Sequence, residues 1–180
     1  MDVIDRLNAV EQQSVKDFGS LTETQLNWKP ATDKWSIAQC LDHLIQTNKT
    51  YFVTFDQILS GGHRVSFFQK INPFKKAIGA MMIKTLGPQP AKKFTAPKIF
   101  EPSSRTIAPS IVTDFSSHQE IVKSYFARMA VIDPSKIFIA SPVSPVFVYS
   151  LADAMQIITG HEERHLNQAI TILQHPNFPK

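Results

Sequence analysis

Cysteine is nearly absent from this chain of 180 residues, which contains only Cys40. A single cysteine excludes an internal disulfide framework and any zinc site built from several cysteines. The chain also has no run of about 18 apolar residues, so no membrane span is predicted. Residues 1–6 lack a basic stretch followed by an apolar one, so we expect no secretory signal. Together these absences favour a cytoplasmic location.

Acidic residues are scarce in the middle of the chain. Positions 61–113 contain nine Lys or Arg residues and one acid, Glu101, which leaves 10 basic and 14 acidic residues elsewhere. A basic segment of this kind can meet nucleic acid, anionic lipid or an acidic substrate, but it more often forms a solvated face. Segment 61–113 has no recognisable nucleic-acid-binding motif. Nucleic acid is therefore not an expected partner, and the role of the segment stays open.

Apolar residues recur at helical spacing in four long stretches. The predicted helices span residues 2–18, 36–61, 117–132 and 150–174. A capping box, in which a Ser side chain and the side chain three residues later cap each other's backbone N–H, is predicted at the start of the last three. The pairs are Ser36 with Gln39, Ser117 with Glu120, and Ser150 with Asp153.

The connection between the second and third helices is long and irregular, and it holds six of the twelve prolines. A short amphipathic helix is predicted from about Phe74 to Leu86, followed by an extended loop from Gly87 to Ser110. So long a connection lets the second and third helices lie parallel. We therefore expect an all-α fold: a single four-helix domain over residues 1–180, with a long crossover that carries a short extra helix.

The stretch between the third and fourth helices contains two runs that resemble strands, Ile137–Ala140 and Val146–Tyr149. A single hairpin would find little to pair with. Residues 136–148, which contain two Ser-Pro steps, are therefore expected to form a loop.

Two histidines, His161 and His165, stand four residues apart in the fourth helix. Because a helical turn takes about 3.6 residues, both rings project from one face and can bind the same metal ion. The other histidines are His43, His63, His118 and His175. Of these, only His43 lies inside a long predicted helix, whereas His118 is expected to be exposed at a helix N-terminus. His43, His161 and His165 would leave one tetrahedral position open, as in catalytic zinc sites; alternatively, the histidines only form hydrogen bonds within the bundle.

The same residues also spell H-E-x-x-H, the zinc metalloprotease signature, in which Glu162 would be the general base. The longer metzincin motif continues with a glycine and a third histidine. This chain has Gln168 and Thr171 at those positions. A protease is therefore not the expected function.

Three separated stretches carry a family resemblance. The first, within residues 21–44, contains W-S-x-x-x-x-x-x-H-L from Trp35 to Leu44. The second is the proline-bounded crossover that reaches Phe100–Pro102, and the third, within residues 149–168, contains the H-x-x-x-H pair. In this combination and order the chain resembles the DinB-like superfamily of bacterial four-helix proteins, also called DinB/YfiT-like proteins.

The resemblance implies an up-down-down-up bundle and a divalent metal ion held by three histidines, which match His43, His161 and His165. Zinc or nickel is the expected metal, although three imidazoles also suit iron or copper. Glu162 or Asp42 would orient a ligand imidazole; equally, Glu162 could pair with a basic residue and be structural.

The resemblance does not fix a reaction. Characterised relatives include thiol-transferases, so the expected function is a metal-dependent thiol-transferase or hydrolase. Its partner would be a small-molecule substrate, such as a low-molecular-weight thiol. The alternative is a non-enzymatic binding or stress-response protein that keeps the fold and the metal. Homodimers are common among bundles of this kind, but no feature of this sequence establishes one.

Overall fold

The computed structural model describes residues 2–66, 69, 71–88 and 106–180. These residues form six helices and one two-stranded antiparallel sheet. The elements in chain order are α1 (Val3–Phe18), α2 (Glu23–Asn27), α3 (Ile37–Leu59), α4 (Lys75–Leu86), α5 (Ile111–Ala130), β1 (Phe138–Ser141), β2 (Ser144–Ser150) and α6 (Leu151–Leu173). The expected all-α class is broadly right, and the small sheet is an addition to it.

Two of the three predicted capping boxes are confirmed. At the start of α3, Gln39 N donates to Ser36 Oγ and Ser36 N donates to Gln39 Oε1, both at 3.2 Å. At the start of α6, Asp153 N donates to Ser150 Oγ at 3.0 Å, and Ser150 N donates to Asp153 Oδ2 at 3.2 Å. In each box, side chains accept hydrogen bonds from backbone N–H groups that have no partner within the helix. Residues close in sequence therefore determine where these two helices begin.

The third capping box was predicted wrongly, because α5 begins six residues earlier than Ser117. The helix follows a turn in which Ile111 N donates to the carbonyl of Ala108, and it has no side-chain cap. Ser117 and Glu120 lie within α5 and are both exposed. A spacing of three residues is also about one turn inside a helix, so the same pattern marks a solvent-facing pair here.

The four long helices contact one another in a closed ring. Helices α1 and α3 each pack against both α5 and α6. Buried apolar side chains of these helices and of the shorter elements form two clusters, one around Phe55, Phe126 and Tyr149 and the other around Phe18 and Phe115. Such a ring is what a four-helix bundle requires, whereas the up-down-down-up order of helix directions stays a prediction. Within the described ranges, none of the helices combines the length and apolar character that a membrane span needs.

The loop predicted over residues 136–148 instead contains the hairpin β1–β2. Phe138 pairs with Ser150 and Ile139 with Tyr149, and the register shifts between Ala140 and Ser141. The prediction failed because the hairpin finds its packing partner in α4, which contacts β2. The Lys75 ammonium at the start of α4 lies 4.1 Å from the centre of the Phe138 ring. The predicted short helix is thus confirmed, while most of the extended loop predicted from Gly87 to Ser110 lies outside the described residues.

Glycines let α4 approach α6 closely at two points. A Cβ at Gly79 would lie 2.7 Å from Asp153 Cγ, and a Cβ at Gly160 would lie 3.3 Å from Gly87 Cα. Side chains at these positions would push the two helices apart. The contacts bring the C-terminal end of α4 to the part of α6 that carries His161.

Candidate metal centre

Three imidazoles from two helices meet beside α4. His43 is supplied by α3, and His161 and His165 are supplied by α6. The Nε2 atom of His161 lies 3.3 Å from that of His43 and 3.1 Å from that of His165. All three side chains are buried. The structure therefore brings together the three histidines that the sequence analysis singled out.

The spacing of these nitrogens fits a bound transition-metal ion. A neutral imidazole has one donor and one acceptor nitrogen, so three Nε2 atoms that face one another do not satisfy each other fully. In a tetrahedral site with metal–nitrogen bonds of about 2.0–2.1 Å, neighbouring ligand nitrogens lie about 3.3 Å apart. The observed separations of 3.1 and 3.3 Å agree with that value. The donor set is one that zinc and nickel both accept.

Burial keeps the two imidazoles of α6 neutral. It lowers the pKa of His161 well below its ordinary value, and the electrostatic effect of the neighbouring His165, His43 and Arg164 lowers it further. The pKa of His165 falls to about 3, again mainly through burial, with contributions from His43 and Arg164. Metal ions bind the neutral ring, so both α6 histidines are in the form that can coordinate at neutral pH.

Trp35 stacks on one of these rings and lies tilted against a second. Its centroid lies 5.5 Å from that of His165, with the ring planes nearly parallel at 21°, and 4.7 Å from that of His43. Trp35 immediately precedes the Ser36 cap, so the start of α3 also fixes where the indole lies. One side of the histidine cluster is thereby closed by an apolar ring.

Glu162 follows His161 in α6, and its side chain is fully buried among the packed helices. Its Oε1 accepts hydrogen bonds from Asn48 Nδ2 at 2.7 Å and from Gln119 Nε2 at 3.0 Å. Burial raises the pKa of Glu162 to about 7, against the lowering effect of these two bonds. The hydrogen bonds described for Glu162 thus go to amides on α3 and α5, while Asp42 accepts from Gln46 at 3.1 Å.

Asn48, Gln119 and Glu162 form a buried polar cluster, which the sequence analysis missed. Their exposed fractions are 1%, 0% and 0%. One oxygen of each, namely Asn48 Oδ1, Gln119 Oε1 and Glu162 Oε2, finds no hydrogen-bond partner in the described part of the chain. A signal was available, because Asn48 and Gln119 each occupy a position of an apolar stripe at helical spacing. The cluster ties α6 to both α3 and α5 beside the histidines.

Arg164 lies on the α4 side of the histidine cluster and is half-buried. Its Nη1 donates to the backbone carbonyl of Thr85, in the last turn of α4, at 3.4 Å. Burial lowers the pKa of Arg164. Its neighbour Glu163 instead accepts two hydrogen bonds of 2.7 Å from Arg6.

The remaining histidines lie elsewhere. His63 Nε2 lies 2.9 Å from the carbonyl of Phe138, and His175 packs against Trp28. The prediction that His118 is exposed was wrong: it is buried in the middle of α5 and stacks on Phe52. Burial, and then the charge of Lys49, lowers its pKa to about 4. The change follows from the earlier start of α5, which moves His118 from a helix end to a helix interior.

The fold and the site define a mostly helical protein with a buried cluster of three histidines between two of its long helices. The family model of the DinB superfamily matches residues 6–169. The chain therefore belongs to the DinB superfamily. Comparisons with curated proteins and with solved structures give no match.

Proposed function

We propose that this protein binds one divalent metal ion through His43, His161 and His165 and acts as a metal-dependent thiol-transferase or hydrolase on a small molecule. The observation that carries the proposal is the meeting of three buried imidazole nitrogens at 3.1 and 3.3 Å. Zinc or nickel is the proposed ion. The scaffold would be a single four-helix domain, which the ring of contacting helices supports, and we propose up-down-down-up helix directions for it.

A bound ion of this kind supplies Lewis-acid chemistry, because it lowers the pKa of a thiol or water enough to provide a nucleophile near neutral pH. The protein's own residues prepare the site. The three imidazoles are supplied by two long helices, and Trp35 stacks on His165 and lies tilted against His43. The polar cluster around Glu162 fixes α6 against its neighbours.

Metal content tests the first part of the proposal. We would incubate tag-free protein with zinc or nickel, remove free ions by dialysis and measure bound metal by elemental mass spectrometry. Wild type is expected to retain about one ion per chain, whereas His43→Ala and the double variant His161→Ala/His165→Ala lose it. His175→Ala is the matched control, since it removes a histidine outside the cluster. Wild-type protein that retains neither ion would overturn the proposal.

Turnover tests the second part. The zinc-loaded protein would be assayed with monochlorobimane and a panel of low-molecular-weight thiols, and separately with activated esters. Turnover that needs both the metal and His161 supports the enzyme. A fully loaded protein that turns over neither kind of substrate would contradict the catalytic part and favour a non-enzymatic binding or stress-response protein with the same metal site.

A further inference from the structure

Arg164 occupies an unusual position beside the candidate metal centre. At about 100° per residue, it projects about 60° from His161 around α6, towards the side on which Gly160 meets Gly87. Its hydrogen bond to Thr85 places the guanidinium at the C-terminal end of α4. Arg164 directly precedes His165 in the helix, and its positive charge lowers the pKa of both His161 and His165.

Within the described part of the chain, this guanidinium uses little of its hydrogen-bonding capacity. Arginine has five N–H donors, and the one hydrogen bond described for Arg164 is long, at 3.4 Å. No carboxylate in the described ranges forms an ion pair with Arg164, and the carboxylate of the neighbouring Glu163 is bound by Arg6. A half-buried cation that lacks an anionic partner is unfavourable, since it loses hydration without gaining an ion pair.

We propose that Arg164 binds a carboxylate group of the substrate and so makes the metal centre selective for small thiols or hydrolysable compounds that also carry a carboxylate. This inference rests on the proposed function. The planar guanidinium can form two parallel hydrogen bonds to a carboxylate, which fixes both the position and the direction of the ligand. In this proposal the other end of the bound ligand reaches the three imidazoles, and Arg164 acts as a specificity residue.

The experiment compares two thiols that differ in this group. Full-length protein loaded with cobalt(II), whose visible absorption changes when a ligand binds, is titrated with 3-mercaptopropionate and with 2-mercaptoethanol. The measured quantity is the ratio of the two dissociation constants, compared between wild type and Arg164→Gln, so that intrinsic differences between the thiols cancel. A charge-assisted contact predicts a ratio that favours the carboxylate by about tenfold or more in wild type.

Two further variants keep the test specific. Arg164→Lys retains the charge but not the paired donors, so we expect a preference between those of wild type and Arg164→Gln. Arg128→Gln removes an exposed arginine from α5 and is expected to leave the ratio unchanged. The cobalt content of every variant and its affinity for 2-mercaptoethanol report whether the centre itself is intact.

The outcomes separate this inference from the proposed function. A preference that disappears in Arg164→Gln while cobalt content stays at about one ion per chain supports it. A preference that survives in that variant, equal binding of the two thiols by wild type, or binding of neither overturns the inference and leaves the metal centre standing. Wild-type protein that takes up no cobalt, zinc or nickel overturns both.

Discussion

Replacing Glu162 tests how much the buried polar cluster contributes to stability. Leucine is close to glutamate in volume, so Glu162→Leu removes the acceptor without leaving a large cavity. In this variant the side-chain amides of Asn48 and Gln119 lose their acceptor, because in wild type they donate to Glu162 at 2.7 and 3.0 Å. An unsatisfied buried donor costs about 1–3 kcal/mol. The burial that raises the Glu162 pKa opposes the ionised glutamate and offsets part of this loss, so we expect a net destabilisation of about 2–4 kcal/mol.

Glu162→Gln is the informative partner of that variant. Its amide oxygen can still accept from both Asn48 and Gln119, so the two hydrogen bonds persist without the assistance of a charge. The weaker hydrogen bonds lower the stability, whereas the absence of a buried carboxylate raises it. We therefore expect the free energy of unfolding to change by about 1 kcal/mol or less.

The assay is urea unfolding at pH 7, with a chelator present so that metal binding does not contribute. Midpoints are compared at constant slope, because a changed slope would mean a changed unfolded state. Asn167→Leu, which adds an exposed leucine to the same helix, is the control. If Glu162→Leu proves no less stable than Glu162→Gln, stranding the two amides costs nothing measurable and the reasoning is refuted.

Three further predictions concern the scaffold and the metal. Gly79→Ala should destabilise the protein by about 1–3 kcal/mol, because its Cβ would meet Asp153, and calorimetry should show a lower melting temperature. Zinc at about 100 times its dissociation constant should stabilise wild type by about 2.7 kcal/mol and raise Tm by about 5–11 °C, an effect that His161→Ala removes. Lys123→Met should lose about 1 kcal/mol at pH 7, as measured by urea midpoints, and much less at a pH low enough to protonate Glu11 in the folded protein. Burial alone would raise the pKa of Glu11, but hydrogen bonds, above all the one from Lys123, outweigh it and lower the pKa below its ordinary value. The ion pair therefore stabilises the fold at pH values above the pKa of Glu11 and is lost as the pH falls through the pKa of the folded state.

Each of these predictions has a control and a contrary outcome. Gly62→Ala has room for the added methyl and should leave Tm nearly unchanged, so equal effects at Gly62 and Gly79 would argue against close packing of α4 on α6. A zinc-induced rise in Tm that persists in His161→Ala would point to binding elsewhere. A destabilisation by Lys123→Met of the same size at both pH values would show that the charge of Glu11 is not involved.

Local signals made much of this fold predictable from sequence. The Ser36 and Ser150 capping boxes depend on residues only three positions apart, and both were found where predicted. The histidine pair on α6 follows from helix periodicity alone. That His43 meets this pair was harder to predict, because periodicity does not fix how α3 faces α6; it was expected from the family resemblance and as the one other histidine in a long helix.

The errors lie where distant parts of the chain decide local structure. The hairpin could not be recognised from its strands, because its packing surface is α4, some 50 or more positions earlier in the sequence. The start of α5 was misplaced because Ser117 and Glu120 satisfy the capping pattern equally well as an exposed pair within a helix. The partners of Glu162 come from two other helices, so periodicity could mark Asn48 and Gln119 as buried without showing that they bind the same carboxylate.

The stacking of Trp35 on the histidine cluster gives the protein an optical property. The chain has two tryptophans, and the other, Trp28, packs against His175 and Phe178 instead. An indole in contact with two candidate ligands loses its fluorescence when a neighbouring ion has a partly filled d shell, as nickel has, and keeps its emission beside a closed-shell ion such as zinc. In Trp28→Phe, all tryptophan emission would come from beside the imidazoles. The intrinsic tryptophan fluorescence of that variant would then distinguish bound nickel from bound zinc.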